Sequence, residues 1–442
     1  MAAYNTIEDL PETPMLRKIT ILSSIGIMVD GYTLTVFSYA LLYLIKAMNL
    51  SSYQISIMGI SSIFGVFIGS IIFGKIADLY GRRYIYIYDL VIVSIFLFLT
   101  GLSTNYVIFS IFQFLVGIGI GADYPISSSI QAEFSPKKVR GRYLLINIFS
   151  FSIGSILFLT ISIPLVLFTG INAWRFMYMI GAIFPLIVVY SRKKIPESPY
   201  WIEYRYGKEA GEKSKEEIEK DTGLKINKIP KLEKGSTKIS DIFKGKYLVY
   251  SIFIAIAWFS YNLVSYGIWT YSPLIFSTEI ASHYADLYVV FTGMAESVPV
   301  IIGFLIAIYY VERLGRKPLL LLGFLGSFIT LTIFFFVNMY MVVGLLMTFS
   351  AFGMVHLFDN IGPSPMTYAY PVELFPTRIR GTAMGFATSI SKVGSIVAVF
   401  SFPIIDSLYG LKIVIICFAV FELIGFLITL KFAPETKNKS LR

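Results

Sequence analysis

The sequence has 442 residues, of which 56% are apolar and 14% are charged, and its formal net charge is +10. Soluble proteins carry about 25% charged residues, and several runs here approach the roughly 18 uncharged residues that cross a bilayer. These values exclude an ordinary soluble protein and indicate a polytopic membrane protein. The basic residues lie in short loops between apolar runs, so the positive charge indicates membrane topology and not nucleic-acid binding.

Twelve predicted spans follow one another along the chain, each an apolar run of helical length. Their limits are Ile19–Ile45, Tyr53–Ala77, Tyr84–Leu102, Tyr106–Ala132, Tyr143–Phe168, Ala173–Tyr190, Tyr247–Ser277, Ala285–Tyr310, Leu319–Val337, Met341–Tyr370, Thr382–Asp406 and Leu411–Phe432. Residues 191–246 are rich in Lys and Glu, and their charged run Lys208–Lys220 indicates a solvated helix. The prediction is a six-helix bundle over residues 1–190, a linker with short helices over 191–246, and a second six-helix bundle over 247–442.

The loop charges predict the orientation of these spans. Basic clusters such as Lys137–Arg142 all fall on one side of the predicted bundle, whereas the turns of the other side carry only Lys46, Arg175 and Lys412. By the positive-inside rule the basic side is cytoplasmic. With an even number of spans, both termini are predicted to be cytoplasmic in a multi-pass protein of the plasma membrane.

Little in the sequence indicates catalysis. The single cysteine, Cys417, lies inside an apolar run, so there is no disulfide framework and no thiol or metal cluster. No nucleophile–base set or phosphate-binding loop is recognisable, so we expect no enzyme, no metal and no cofactor. Acidic and polar residues precede the first span, which predicts that there is no cleavable signal peptide.

Three motifs at the predicted cytoplasmic ends of spans occur twice at nearly constant spacing. GKIADLYGRR returns as YVERLGRK, so that Gly81 corresponds to Gly315. EFSPKKVRG returns as ELFPTRIRG, with Glu133 corresponding to Glu373, and the dipeptide Pro-Glu at position 196 returns at position 434. A nearly constant shift indicates two six-span halves related as parallel repeats, which in transporters surround a site near the middle of the membrane.

In these motifs the chain resembles the major facilitator superfamily over essentially its whole length, and it is most similar to the sugar-porter and phosphate–proton symporter branches. GKIADLYGRR, EFSPKKVRGR, PESPYW, ELFPTRIRGTAMG and APETKNKSL carry the likeness. The resemblance implies an all-α membrane protein with twelve transmembrane helices in two pseudo-symmetric bundles. It also implies a monomeric transporter whose partners are a small-molecule substrate, protons and the lipid bilayer, with no nucleic acid.

In that family the repeated motifs form a charge network that closes the cytoplasmic gate in one state and opens in the other. The alternative for any single arginine is that it has no gate role and only marks the cytoplasmic side of the membrane by the positive-inside rule. The resemblance implies gate roles for ten residues, which are Asp78, Arg82, Glu133, Arg140 and Glu197 in the first half and Glu312, Arg316, Glu373, Arg380 and Glu435 in the second.

Two carboxylates lie inside predicted spans, Asp30 in the first and Asp123 in the fourth. A charged residue at the centre of a membrane helix costs about 2.5–3.5 kcal/mol on insertion scales, so it needs a functional or structural reason. The phrase ADYPIS at 122–127 resembles a phrase of the phosphate–proton symporters, and this likeness implies proton coupling through Asp30 and Asp123. The alternative is a structural, hydrogen-bonded aspartate, and the place of a second helix-1 acid of that family holds Thr33.

The candidate substrate residues match either branch only in part. Trp258, Asn262 and Tyr266 are spaced by four and share one helix face, but Asn262 stands where the phosphate branch has an acid. Ser364 replaces an amide of that branch, Lys392 keeps its place, and Tyr124 follows Asp123. For the sugar branch, the phrase YSPLIF at 271–276 is similar.

Three further polar residues belong to neither pattern. Glu296 lies in the eighth span, and His356 and Asp359 share a face of the tenth; they are candidates for a proton relay, with a simple buried contact as the alternative. Pro125 and Pro365 fall at equivalent places in the two halves and predict bends in the fourth and tenth spans, for gating or as tolerated kinks.

These features together predict a secondary active transporter that carries a small polar metabolite, a sugar or an organic or inorganic anion, with protons by alternating access. The alternatives are a phosphate–proton symporter proper and a passive sugar facilitator on the same fold.

Overall fold

A computed structural model describes residues 3–83, 85–192, 195–228, 238–279, 285–340 and 344–441. The predicted first residues of the third and tenth spans, Tyr84 and Met341, and part of the predicted linker lie outside these ranges. Within them the chain forms sixteen α-helices. They are α1 Pro14–Met48, α2 Ser52–Tyr80, α3 Ile85–Gly101, α4 Tyr106–Phe134, α5 Arg140–Thr169, α6 Ala173–Gly181, α7 Ile183–Arg192, α8 Pro199–Tyr206, α9 Lys208–Thr222, α10 Lys246–Glu279, α11 Ala285–Leu314, α12 Arg316–Tyr340, α13 Leu345–Ile361, α14 Pro363–Leu374, α15 Arg380–Tyr409 and α16 Leu411–Phe432.

Twelve spans can be assigned to these helices. Ten described segments are long and apolar enough to cross a membrane, and one of them, Arg140–Tyr190, holds two spans, α5 and the pair α6–α7. The shorter apolar helix Ile85–Gly101 supplies the remaining span. The predicted all-α membrane architecture with twelve transmembrane helices is confirmed.

Helix ends extend beyond the apolar runs where the sequence offers caps. The first helix begins at Pro14 because the Thr13 side chain accepts the Leu16 N–H at 3.2 Å, and proline suits a first helical turn. Ser51 and Gln54 form a capping box at the start of α2. The predicted limits Ile19–Ile45 and Tyr53–Ala77 are therefore too short for these two helices, whereas the predicted span Leu411–Phe432 matches α16 at both ends.

Helices of the first half pack against helices of the second at two equivalent places, α2 on α15 and α5 on α11. The α2–α15 contact is close because glycines line it. A Cβ on Gly385 would overlap the Ser70 carbonyl oxygen, and one on Gly74 would lie 2.5 Å from the Gly381 carbonyl oxygen. Small residues let membrane helices approach in this way.

The proline expectation holds only in part. Helix α4 runs through Pro125 without interruption. The tenth span is broken, but at Gly362, between α13 and α14, and not at Pro365. Pro363 has no N–H to donate, so the helix cannot continue through it with a full set of bonds.

The N-terminal segment and the linker fold onto each other. Ala3–Tyr4 pairs in parallel with Lys225–Ile226 as a two-stranded sheet, and a 3₁₀ turn, Ile7–Asp9, follows. The linker contains α8, α9 and a 3₁₀ turn, Ile239–Phe243, which agrees with the predicted short helices. Its pairing with the chain start was not predicted.

Candidate functional site

A cavity of about 140 Å³ lies between the two halves and is lined by both. This volume is roughly ten times what one water needs on the same measure. All six predicted substrate residues line it, together with Glu296 and His356. The six are Tyr124, Trp258, Asn262, Tyr266, Ser364 and Lys392.

Lys392, on α15, contributes the primary amine of this lining. Its side chain is 3% exposed, and its Nζ donates to the Tyr266 hydroxyl at 2.6 Å. The same Nζ lies 4.3 Å from the centroid of the Tyr266 ring and 5.5 Å from that of Tyr124. Aromatic faces and a hydroxyl stabilise an ammonium only in part, because neither carries a full negative charge.

Aromatic side chains complete the wall of the cavity. Phe151, which stands where the phosphate branch has an amide, lies 5.5 Å from the ring of Trp269, and Trp269 lies 5.7 Å from that of Tyr266. Tyr124 and Tyr368 meet edge to face at 6.4 Å across the two halves. Aromatic residues are abundant in this chain, so only their position in the structure could separate them from packing residues.

Asp123 does not line the cavity; it lies behind Tyr124 in a charge cluster of the first half. Its Oδ1 accepts from Arg192 Nη2 at 2.7 Å and from the Ser127 hydroxyl at 2.7 Å. Arg192 Nη1 bonds both oxygens of Asp89, at 3.0 and 3.1 Å. All three charged residues are 2% exposed or less.

Arg192 and Asp89 were not predicted from the sequence. Arg192 falls within the predicted linker 191–246, but α7 continues to it and its side chain is buried. A Cβ on Gly26 would overlap the guanidinium, so this glycine of α1 makes room for it. The cation sits 3.6 Å over the Tyr86 ring. The sequence did contain a signal for this pair, because Asp89 lies within the predicted third span and a charged residue there requires a cationic partner.

Asp30 lies beside this cluster with neither carboxylate oxygen hydrogen-bonded within the described part of the chain. It is fully buried, and it interacts electrostatically with Asp123 and Arg192 of the charge cluster and with Lys392 of the cavity.

The candidate relay residues lie in separate surroundings. Asp359 accepts from the Ser327 hydroxyl at 2.8 Å, and among the described contacts no hydrogen bond joins it to His356. His356 lines the cavity, as does Glu296, which accepts from Ser272 at 3.1 Å. The relay stays a prediction, and direct transfer between His356 and Asp359 has no support in this geometry.

The repeated motifs meet at one end of the bundle, which we call the motif end. Glu133 is its centre: Arg82 of the same half lies 3.2 Å from its Oε1, and Arg380 of the other half bonds the same oxygen. Arg82 also donates to the Thr377 carbonyl at 3.1 Å. All three charged side chains are fully enclosed, so these contacts tie the halves together.

Two carboxylates cap helices of the opposite half in matching positions. Asp78 of α2 accepts from the backbone N–H groups of Gly381 and Thr382 at 3.0 and 2.7 Å, at the start of α15. Glu312 of α11 accepts from the N–H of Arg142 at 3.1 Å, at the start of α5. A negative charge at a helix N-terminus is favourable because of the free N–H groups and the helix dipole.

The other gate residues repeat the same pattern within each half. Glu197 accepts from the N–H groups of Arg82 and Arg83 at 2.9 and 3.0 Å, and Glu435 accepts from those of Arg316 and Lys317, both at 3.1 Å. Both turns need glycine, since φ is +96° at Gly81 and +97° at Gly315. Glu373 and Glu312 each lie 2.8 Å from Arg316.

Arg140 departs from this symmetry. Its equivalent, Arg380, bonds Glu133 across the interface, whereas Arg140 bonds Glu8 of the N-terminal turn at 2.9 Å and the Lys439 carbonyl at 2.9 Å. Glu8 also accepts the Leu441 N–H at 2.7 Å. The contribution of Glu8 was not predicted from the sequence. The gate assignment stays a prediction for all ten residues.

The chain matches known families, curated sequences and solved structures over almost its whole length. The family model described as "Sugar (and other) transporter" matches residues 18–442. The chain is 29% identical over 442 residues to the putative metabolite transport protein YaaU of Escherichia coli K12, covering 100% of this chain and 97% of that protein. It is 30% identical to the inorganic phosphate transporter PHO84 of Saccharomyces cerevisiae, covering 87% of this chain and 76% of that protein.

Among solved structures, the proton:xylose symporter XylE from E. coli, bound to 6-bromo-6-deoxy-D-glucose, superposes with a TM-score of 0.80. The sequence identity is 21%, and the match covers 96% of this chain and 97% of that one. This likeness shows the fold, and it confirms the predicted major facilitator architecture.

Proposed function

The chain belongs to the sugar (and other) transporter family, so it is a membrane transporter and not an enzyme, and we propose that it is a proton-coupled symporter of a small polar metabolite. In this proposal the motif end faces the cytoplasm of the cell by the positive-inside rule, with both termini on that side of the plasma membrane. The bundles 1–190 and 247–442 move against each other, joined by the linker 191–246.

One observation carries the proposal: Asp30, a buried acid without hydrogen bonds among the described residues, interacts electrostatically with Lys392, which lines a cavity between the two halves. A carboxylate removed from water without hydrogen bonds is stable only with a proton or a cation beside it. In this proposal Asp30 takes up a proton in one state of the transport cycle and releases it in another, where Arg192 stabilises the charged form. Its electrostatic contact with Lys392 links that change of charge to the cavity.

The contacts at the motif end supply the second requirement of alternating access, which is a closed gate that can open. Arg380 to Glu133, and Thr382 to Asp78, must break for the halves to separate on that side. Each of these contacts exists only when the two halves meet, so opening and closing are distinct states and a ligand can shift the balance between them. The free energy of binding of proton and substrate together offsets the free energy that is lost when these contacts break.

Asp123→Asn tests the coupling. The amide keeps the shape but removes the charge that Arg192 neutralises. We expect purified protein in proteoliposomes with an inward proton gradient to lose uphill accumulation, while exchange of labelled for unlabelled substrate continues. Asp406→Asn, an exposed acid on α15, is the matched control and should transport like the unaltered chain. Accumulation by Asp123→Asn at the wild-type level would refute the assignment.

A passive facilitator is the second candidate, and the geometry of Asp123 favours it. An aspartate paired with Arg192 at 2.7 Å can be purely structural. A protonophore separates the two, because it abolishes accumulation by a symporter and leaves equilibration by a facilitator unchanged. Imported protons supply about 2.3 kcal/mol per charge per 100 mV of membrane potential, so the two candidates differ greatly in how far they accumulate substrate.

A further inference from the structure

The lining of the cavity combines one buried lysine with an aromatic wall. Lys392 has a hydroxyl as its hydrogen-bond partner and no carboxylate within ion-pair distance among the described residues. Around it stand Tyr124, Trp258 and Trp269. A ligand that satisfies both features needs a negative charge at one end and a flat apolar surface at the other.

The remaining polar groups of the lining include neutral hydroxyls and amides, such as Ser364 and Asn360, and one acid, Glu296. A phosphate ion matches the ammonium but has no flat apolar surface for the rings. A neutral sugar stacks on aromatic rings but leaves Lys392 without an anion. Glu296 keeps one oxygen without a hydrogen bond among the described contacts, so it offers an acceptor to a hydroxyl or N–H group of a ligand.

We propose that the cavity binds an aromatic monocarboxylate, with its carboxylate on the Lys392 ammonium and its ring against Tyr124, Trp258 and Trp269. The proposal rests on the proposed function, because it names the substrate class of the same cavity.

The test measures binding to the full-length protein in lipid nanodiscs by quenching of tryptophan fluorescence. The probes are benzoate, benzamide as the uncharged equivalent with the same ring, inorganic phosphate and xylose. We expect benzoate to bind about tenfold to hundredfold more tightly than benzamide, as one charge-assisted hydrogen bond allows. Lys392→Gln should abolish this difference, Lys392→Arg should keep most of it, and Lys412→Gln, an exposed lysine at the start of α16, should leave it unchanged.

Equal affinities for benzoate and benzamide, or an unchanged preference in a monodisperse Lys392→Gln protein, would overturn the substrate class. So would binding of xylose or phosphate with no binding of benzoate. In that case proton-driven accumulation of xylose or phosphate in proteoliposomes would leave the proposed function standing. Tight benzoate binding without any proton-driven uptake would support the substrate class and refute the proton-coupled symporter.

Discussion

Substitution Glu8→Gln weakens the contact that ties both chain ends to the motif end. The Glu8 carboxylate is 3% exposed and holds Arg140 Nη2 at 2.9 Å and the Leu441 N–H at 2.7 Å. Glutamine keeps the shape and an acceptor oxygen, so the perturbation is the loss of one charge. Because these contacts bridge the first half to the C-terminal tail of the second, we expect them to stabilise the state in which the motif end is closed.

The magnitude follows from burial. A hydrogen bond to a charged group contributes about 1.5–3 kcal/mol, whereas an exposed ion pair contributes about 0–1 kcal/mol. Arg140 is 2% exposed, so the higher range applies. Because about 1.4 kcal/mol is a factor of ten, Glu8→Gln should shift the balance toward the open state by about tenfold to hundredfold.

A reporter cysteine measures this shift. Ser389 is buried, and its Oγ lies 2.7 Å from that of Ser70 across the α2–α15 contact. In a Cys417→Ala background, Ser389→Cys becomes reactive toward a maleimide when the motif end opens. We expect Glu8→Gln to raise the alkylation rate by the factor given above, and Glu133→Gln to raise it further.

Asp9→Asn is the matched control on the same N-terminal turn. Asp9 pairs with Lys137 at 2.7 Å, but the side chains of Lys137 and Asp9 are 32% and 27% exposed. The Lys137 hydrogen bond holds the pKa of Asp9 below its usual value, so the pair is ionised at neutral pH and the substitution does remove a charge. Alkylation should change less than about fivefold, as expected of a surface pair. Identical rates for Glu8→Gln and Asp9→Asn would show that burial of the Glu8 contact does not hold the gate closed.

Two further substitutions have defined outcomes. Gly26→Ala should displace Arg192 and break its buried pairing, which costs about 3–5 kcal/mol, so both the melting temperature and proton-driven uptake should fall. Gly353→Ala lies inside α13, and its Cβ would make only an ordinary contact with Pro299 Cγ at 3.5 Å, so it should not lower the melting temperature. Equal melting temperatures for the two variants would contradict the steric argument. Asp78→Ala and Glu312→Ala should each raise the alkylation rate at Ser389→Cys through loss of a helix cap of about 1 kcal/mol, and a response to only one of them would show that the two caps are not equivalent in function.

The near-constant repeat spacing allowed much of the motif end to be predicted from the sequence. The repeat relates Asp78 to Glu312 and Thr382 to Arg142, and both pairs make the same contact across the halves. Repetition places equivalent residues in equivalent environments, so a contact expected in one half is also expected at the corresponding residues of the other half. The resemblance supplied the cavity residues in the same way, and all six line one cavity.

The partners of the buried charges could not be predicted, because they depend on side-chain reach and not on spacing. Arg192 turns inward from the end of α7 into space that Gly26 leaves free. Glu8 reaches Arg140 only because a short parallel pairing of Ala3–Tyr4 with the linker holds the chain start in place. Neither contact has a periodic signature in the sequence.

The two halves share the contacts of the motif end but differ in their interior charge, and this difference limits how the proposed coupling can work. Asp123 has Pro363 as its equivalent in the second half, at a point where the tenth span is broken and the fourth is continuous. The first half thus holds its acids on unbroken helices, anchored by Arg192.

Lys392, the lysine of the cavity, belongs to α15 of the other half. If the proposed symporter takes up its proton on an acid of the first half, that proton must act on Lys392 through space. Asp30 is buried and interacts electrostatically with both Arg192 and Lys392, so we propose that it carries this effect. Under this proposal, coupling by charge requires the two halves to be close together when both ligands are bound.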